Sequence, residues 1–446
     1  MRKFIAIILL SSAVFFISKT VSAQVVNLYP TTIGNRAFGL AGAFTALASD
    51  ATSGWYNPGA LGFVDRTYLN ATGNVYGVQR AKVDKYFEVK PLLGTGASMD
   101  FEEKSTQATP AAFSLAKKSG NLGTFGFGVY VPRDIGFEDS YALKTFYQDV
   151  FGFENRNEIF ERSRYAERSV YFGPSFGRQV GSNIALGTSF FMLYHTQSTD
   201  MVFDISTIEQ ETNLNILSHT NIRKENVDFL GLRAAFGLQG RWGNLRLGAN
   251  IFSPTVRLSE RTELTTILAE SSSLLPTDRT VIDTDKSTNE HGRGWGFAMG
   301  AGWEEAGRWA AGLDLTYYIP EADRDIADRN VLNIQIGGEC YLTSHIILRT
   351  GFFTDFSSQK SISAPPRDTD PAVNVDIYGG TFQIAYQDTI PGTRVMRSLS
   401  VGVRYARGSG DAIGIIYRPD MFEAAAVRRS LSYESIAFML GGTLAY

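Results

Sequence analysis

The run Gly312-Leu313-Asp314-Leu315-Thr316-Tyr317-Tyr318-Ile319 decides how this chain is to be read. In an extended strand, Leu313, Leu315, Tyr317 and Ile319 fall on one side, and Gly312, Asp314, Thr316 and Tyr318 on the other. The same period of two recurs at 332–342, 399–405, 245–251 and 232–238, and in each run the charged residues stay off the apolar side. A charge on the lipid-facing side of a membrane strand costs about 2–4 kcal/mol at the bilayer midplane, so this segregation is what a membrane barrel requires. A β-sandwich also alternates. Its apolar side faces inward, however, and its links are not expected to differ so much in length between its two ends.

Working outward from these runs, about 14 strands are expected, at 67–79, 108–118, 122–132, 163–181, 184–203, 222–242, 245–258, 287–304, 308–319, 331–343, 346–357, 375–388, 397–406 and 433–446. Alternate links are tight: Ser119-Gly120-Asn121, Gly181-Ser182-Asn183, Gly243-Asn244, Ala306-Gly307, Thr343-Ser344-His345 and a longer one at Pro391-Gly392. The others, at 80–107, 133–162, 204–221, 259–286, 320–330, 358–374 and 407–432, are mostly far longer. Short turns at one end, long loops at the other and an even strand number describe an all-β chain: a transmembrane antiparallel β-barrel of the bacterial outer membrane. The last strand places Phe438, Leu440, Leu444 and Tyr446 on one face, like the C-terminal signal read by the barrel-assembly machinery.

Composition agrees. The chain has 446 residues, 44% hydrophobic and 20% charged, with 44 Gly, 31 Phe and 20 Tyr. Its mean hydropathy of −0.08 is not that of a helical membrane protein. A barrel hides its hydrophobicity by alternation. Arg2 and Lys3, the apolar stretch 4–17 and Val21-Ser22-Ala23 read as a secretory signal peptide over 1–23. No Cys lies near that cleavage site, and the sole cysteine, Cys340, excludes an internal disulfide. The formal charge is −3, and removal of Arg2, Lys3 and Lys19 makes it three units more negative, which argues against nucleic acid as a partner. His195, His219, His291 and His345 form no metal-ligand spacing, and no cofactor is implied. Gly173-Pro174-Ser175-Phe176-Gly177 matches a nucleophile-elbow pattern, but it sits inside a continuous strand where that motif needs a strand, a turn and a helix.

Residues 24–66 do not alternate. They are small, helix-and-turn sequence ahead of the barrel at 67–446, and the lumen is the obvious place for them, as a plug. Asn57-Pro58-Gly59 within this segment resembles the Asn-Pro-Ala hatch motif of the FadL/TodX family, with Gly in place of Ala. Further similarity lies in the run 125–132, in Gly173-Pro174-Ser175, in Leu245-Arg246-Leu247-Gly248 and in Ser253-Pro254. The resemblance implies a 14-stranded barrel with an N-terminal hatch, passively importing long-chain fatty acids or hydrophobic aromatics.

Three sets of residues then become candidates. Asn57, Pro58 and Gly59 form the hatch turn. Phe137, Tyr141, Phe146, Tyr147, Val150 and Phe151, in the apolar link 133–162, are candidates for ligand capture, with part of the set at helical spacing. Gly126, Gly128 and Pro132, with Pro174 in the next strand, are candidates for a lateral opening to the bilayer. Arg233, Arg246, Arg349 and Arg404 face inward and could meet a ligand carboxylate or pair with Asp314, Glu339 or Asp355. The expected partners are a hydrophobic small molecule, outer-membrane lipid and the assembly machinery, with the protein a monomer. A PorV-type barrel assisting protein secretion is the alternative reading, and a structural or adhesive barrel a third.

Overall fold

The computed structural model describes residue 27 and residues 32–91, 96–148, 154–209, 214–271, 279–285, 294–320, 329–367, 370–418 and 423–446. The signal-peptide reading of 1–23 lies outside them.

Sixteen strands form one antiparallel wall: β1 (Tyr68–Val89), β2 (Ala97–Ser119), β3 (Gly123–Gln148), β4 (Glu154–Gln179), β5 (Ile184–Glu209), β6 (Leu214–Trp242), β7 (Leu245–Phe252), β8 (Val256–Ser271), β9 (Arg279–Asp285), β10 (Gly296–Glu305), β11 (Trp309–Tyr318), β12 (Val331–Tyr341), β13 (Ile346–Asp355), β14 (Val373–Thr389), β15 (Met396–Arg418) and β16 (Glu423–Ala445). The wall closes on itself, with β1 paired to β16 from Tyr68↔Ala445 to Val83↔Leu431. It contains fourteen strand positions. β7 and β8 both pair with β6 and are two pieces of one position, interrupted at Ser253-Pro254 where proline lacks a donor. β9 and β10 lie along β8 and β7 and occupy the next position.

Burial alternates as the sequence requires, most regularly in β4 and β11. Exposed Phe127, Phe190, Leu238, Leu247, Leu313, Phe382 and Leu440 belong to the outward, lipid-facing side. Trp242, Trp303, Trp309 and Tyr386 lie beside the short turns, where an aromatic girdle meets the membrane interface.

Two expectations need correction. Most links read as long loops are strand. In particular, 133–148 and 154–162 belong to β3 and β4, paired from Arg133↔Ser169 to Gln148↔Glu154. The helical spacing in this segment is accidental. Period two governs it and sends Phe137 and Tyr141 inward, while Phe146 points outward.

The second correction concerns three neighbouring strands. β1, β2 and β3 each slip by a residue partway up the wall. Even-numbered positions are buried below the slip (Thr72 in β1, Ser114 in β2, Thr124 in β3) and odd-numbered ones above it (Val83, Phe101, Phe137). Such bulges reverse the facing of everything that follows.

Candidate functional site

The segment 32–66 lies inside the ring. Phe38, Leu40, Phe44, Ala60 and Leu61 are almost wholly buried there. It contains a short helix at Asn35–Gly39, another at Ser53–Tyr56 and a 3-10 helix at Pro58–Phe63. Asn57 caps the last of these: its Oδ1 accepts from Gly59 N at 3.0 Å. Its Nδ2 lies 2.9 Å from Thr45 O, 3.0 Å from Leu238 O and 2.8 Å from Gln239 Oε1, tying the turn both to its own segment and to β6. Pro58 and Gly59 sit on wall glycines. A Cβ built on Gly187 would be 2.2 Å from Pro58 O, and one on Gly237 2.3 Å from Asn57 Oδ1. Only a wall without side chains at these points lets the two backbones approach so closely.

Charge fixes the other end. Arg36 Nη2 donates to Glu304 Oε1 at 2.9 Å and to Glu339 Oε1 at 2.6 Å. Glu304 also receives Arg246, and Glu339 receives Arg349, whose Nη1 reaches Gln383. Asp314 Oδ2 accepts from Phe44 N at 2.9 Å and Thr45 N at 2.6 Å. Arg246 and Arg349 are therefore committed to wall carboxylates. Arg233 donates to Ser253 O and Gly294 O. Arg404 lies over the Phe353 ring, 4.2 Å from its centroid. Arg36, Glu304 and Gln383 escaped the sequence reading. A clue was present, because Arg36 and Asp50 are the only charged residues between 32 and 64.

Above the segment, a cavity of about 90 Å³ is lined by Trp55, Tyr56, Phe252 and Phe353, with Asp355 and Arg404 on its polar side. Beyond it an apolar layer crosses the barrel. Tyr86, Phe87 and Phe101 meet Ile159, Phe203, Val375, Ile415 and Leu431 there. Two acids are buried beside this layer, outside the membrane-spanning part. Burial pushes the Glu161 carboxyl up to about 7, against an opposing hydrogen bond from Tyr86. Burial, helped by Asp139, pushes Glu103 up to about 8.

Below the layer, Trp55 packs edge-on and tilted among rings of the wall. Its centroid is 5.2 Å from those of Tyr130 and Tyr171 and 5.7 Å from that of Phe191. Tyr130 is also where two strands part. The β2–β3 ladder runs from Ser119↔Gly123 to Ala112↔Tyr130 and ends. Above it β2 stays with β1 and β3 with β4, and side-chain bonds bridge the seam: Ser105 Oγ to Gly136 O at 2.6 Å, and Glu102 N to Tyr141 OH at 3.0 Å. Of the residues considered for a lateral opening, Pro132 lies in the slip beside this break. Gly126 and Gly128 are paired on both sides, and Pro174 is paired with Phe127. The break faces β2 rather than β4.

Among the candidates for capture, Phe137 and Tyr141 face the interior of the extended β3–β4 wall, and Phe146 is half exposed on its outside. Tyr147 is paired with Asn155. Val150 and Phe151 lie outside the described residues. Ser175 is buried in β4 and shares a 2.8 Å hydrogen bond with Ser189, so the Gly173–Gly177 run is wall.

The ring, its outward apolar face and its filled lumen define a transmembrane β-barrel whose interior holds residues 32–66 of its own chain. No family model matches the chain, and no curated protein matches it significantly. Solved structures show that the fold is one seen in FadL-type barrels. A Pseudomonas aeruginosa FadL homologue matches with a TM-score of 0.59, over 94% of this chain and 99% of its own, at 14% identity. The CymD monoaromatic hydrocarbon channel matches at 0.53, over 93% and 97%, at 11% identity. The Ralstonia pickettii toluene transporter TbuX matches at 0.53, over 93% and 98%, at 11% identity.

Proposed function

We propose that the protein passes small hydrophobic compounds, such as long-chain fatty acids or monoaromatics, across the outer membrane of a Gram-negative-type bacterium without an energy source. The compound is captured at the extended rim that carries Phe137, Tyr141 and Phe146. It crosses the apolar layer, meets the hatch around Asn57-Pro58-Gly59 and leaves sideways along the β2–β3 seam beside Pro132. One observation carries this reading: the aromatic group around Trp55 reaches Tyr130, the residue at which the β2–β3 ladder ends. An apolar path through the lumen thus arrives at the side of the barrel, where the next medium is lipid. A polar-solute porin has the opposite need, a wet lumen. The similar barrels described as a toluene transporter and a hydrocarbon channel support the same reading.

The test is saturable binding and transfer of toluene and of a long-chain fatty acid by the refolded protein in liposomes. Asn57→Ala should leave binding intact and alter transfer, and Tyr141→Ala should weaken capture. Binding of neither compound above an unrelated control barrel would reject the reading in favour of a role as a secretion partner.

A further inference from the structure

The end of β1 leaves the wall. Its last partner in β16 is Leu431, opposite Val83. Lys85 then takes a φ of 50°, in the left-handed region that non-glycine residues rarely adopt, and the register with β2 slips between Val83 and Phe87. The strand passes over the β15–β16 hairpin at Gly414, where a Cβ would lie 2.6 Å from Tyr86 O. On the far side it pairs in parallel with β15, from Phe87↔Ile415 to Val89↔Tyr417, along an edge whose β14 pairing ended at Ala412. From there it spans the mouth. Tyr86 OH is 3.4 Å from Glu161 Oε1 of β4, and the Phe87 ring centroid is 6.3 Å from that of Phe203 of β5.

We propose that this strand end, with its partner in β2, is a lid that an apolar solute lifts and that reseals behind it. The inference rests on the transport reading above and supplies its outer gate. Among the described residues the attachment is slight for a membrane barrel: three parallel register pairs, Lys90 N donating to Tyr417 O at 2.8 Å, the Glu88–Arg429 ion pair at 2.5 Å, Tyr86 OH on Glu161, and apolar contact. The other edge of the lid, upper β2, has no ladder to β3 among the described residues and is held across the seam only by side chains, Tyr141 on Glu102 and Ser105 on Gly136 O. The hinge is already built at Lys85. A ligand shifts such an equilibrium only by binding one state better. An apolar solute does so by covering the surfaces that Tyr86, Phe87 and Val89 uncover, whereas a polar solute leaves them wet. The lid is therefore also a filter.

The experiment uses the full protein in liposomes with the fluorescent apolar probe N-phenyl-1-naphthylamine. Hydrogen exchange of the amides at 86–90 is compared with that at 221–226 of β6, which is paired on both sides. Saturating probe should speed exchange at 86–90 at least tenfold and leave 221–226 unchanged. In a Cys340→Ser background, Phe87→Cys with Ile415→Cys joins register partners whose strand spacing suits a disulfide. Oxidation should slow both that exchange and probe binding at least tenfold, with reduction restoring them. Probe binding at the same rate with the staple closed overturns the lid, as does exchange at 86–90 that ignores bound probe. Should no form bind the probe, the transport reading fails. The lid then stands or falls on whether the staple changes exchange at 86–90.

Discussion

The guanidinium of Arg36 in the N-terminal segment donates to the buried carboxylate of Glu339 in β12 at 2.6 Å, while Glu304 of β10 takes the same nitrogen at 2.9 Å. One side chain thus joins the N-terminal segment to two wall strands. Removing one partner of a buried pair costs about 3–5 kcal/mol, because the charge left behind has lost its compensation. Arg36→Ala should accordingly free the segment without opening the ring. Limited proteolysis in micelles should cut within 32–66 at least tenfold faster, while the barrel keeps its heat-resistant mobility on a gel. An unchanged cutting rate would mean that the segment is held by its packing alone.

Gly237 offers a steric test of the same seat. A Cβ there would lie 2.3 Å from Asn57 Oδ1 and 2.6 Å from Gly59 N. Gly237→Ala should displace the Pro58–Phe63 helix at a cost of about 1–3 kcal/mol. Gly338→Ala is the control, since its nearest neighbour would be Ala310 O at 3.6 Å, an ordinary contact. Exchange of the Asn57–Leu61 amides should rise in the first variant and not in the second.

Glu161 and Glu103 give the mouth a pH dependence. Both have folded-state values raised above the unfolded one, near 4.3, so the neutral form is the one that the closed mouth favours. Their stabilising contribution is complete below about pH 4.3 and is lost as pH rises through about 7 and 8. Exchange around Tyr86, corrected for its intrinsic pH dependence, should therefore accelerate between about pH 5 and pH 8 and level off above. Glu161→Gln should flatten that rise. Acceleration toward acid would contradict the assignment.

Tyr130 stands at the head of the seam, against Trp55. Tyr130→Ala should enlarge that point and speed release of bound toluene into the bilayer severalfold, with little change in capture at the rim. Stopped-flow release from loaded liposomes measures this directly. Slower release, or release into the enclosed water only, would move the exit elsewhere.

Much of the wall is legible in the sequence. Alternation located the wall strands because lipid on one side and lumen on the other impose a period that nothing else in the chain competes with. The segment 24–66 stood apart because it does not alternate, and Asn57-Pro58-Gly59 within it only by its resemblance to the Asn-Pro-Ala hatch motif. The three slips in β1–β3 were hidden, since one extra residue changes no composition and simply reads as the end of a strand. The same failing turned 133–162 into a loop, because once the parity was lost, Phe146, Tyr147 and Val150 offered a spurious helical match. The Arg36 network was invisible for another reason: Glu304 and Glu339 lie some 270 and 300 residues away in sequence.

The wall glycines that admit Pro58 and Asn57 so closely bear on how the molecule is made. Arg36 between two carboxylates and Pro58 against Gly187 leave no slack through which a finished barrel could later be filled. Asn35 rests on Gly441, in the strand that closes the ring against β1. Residues 32–66 should therefore serve as a mandrel, in place before the last strand is sewn to the first. A lesion in this segment should register first as slow or failed assembly, and only in the survivors as altered permeability.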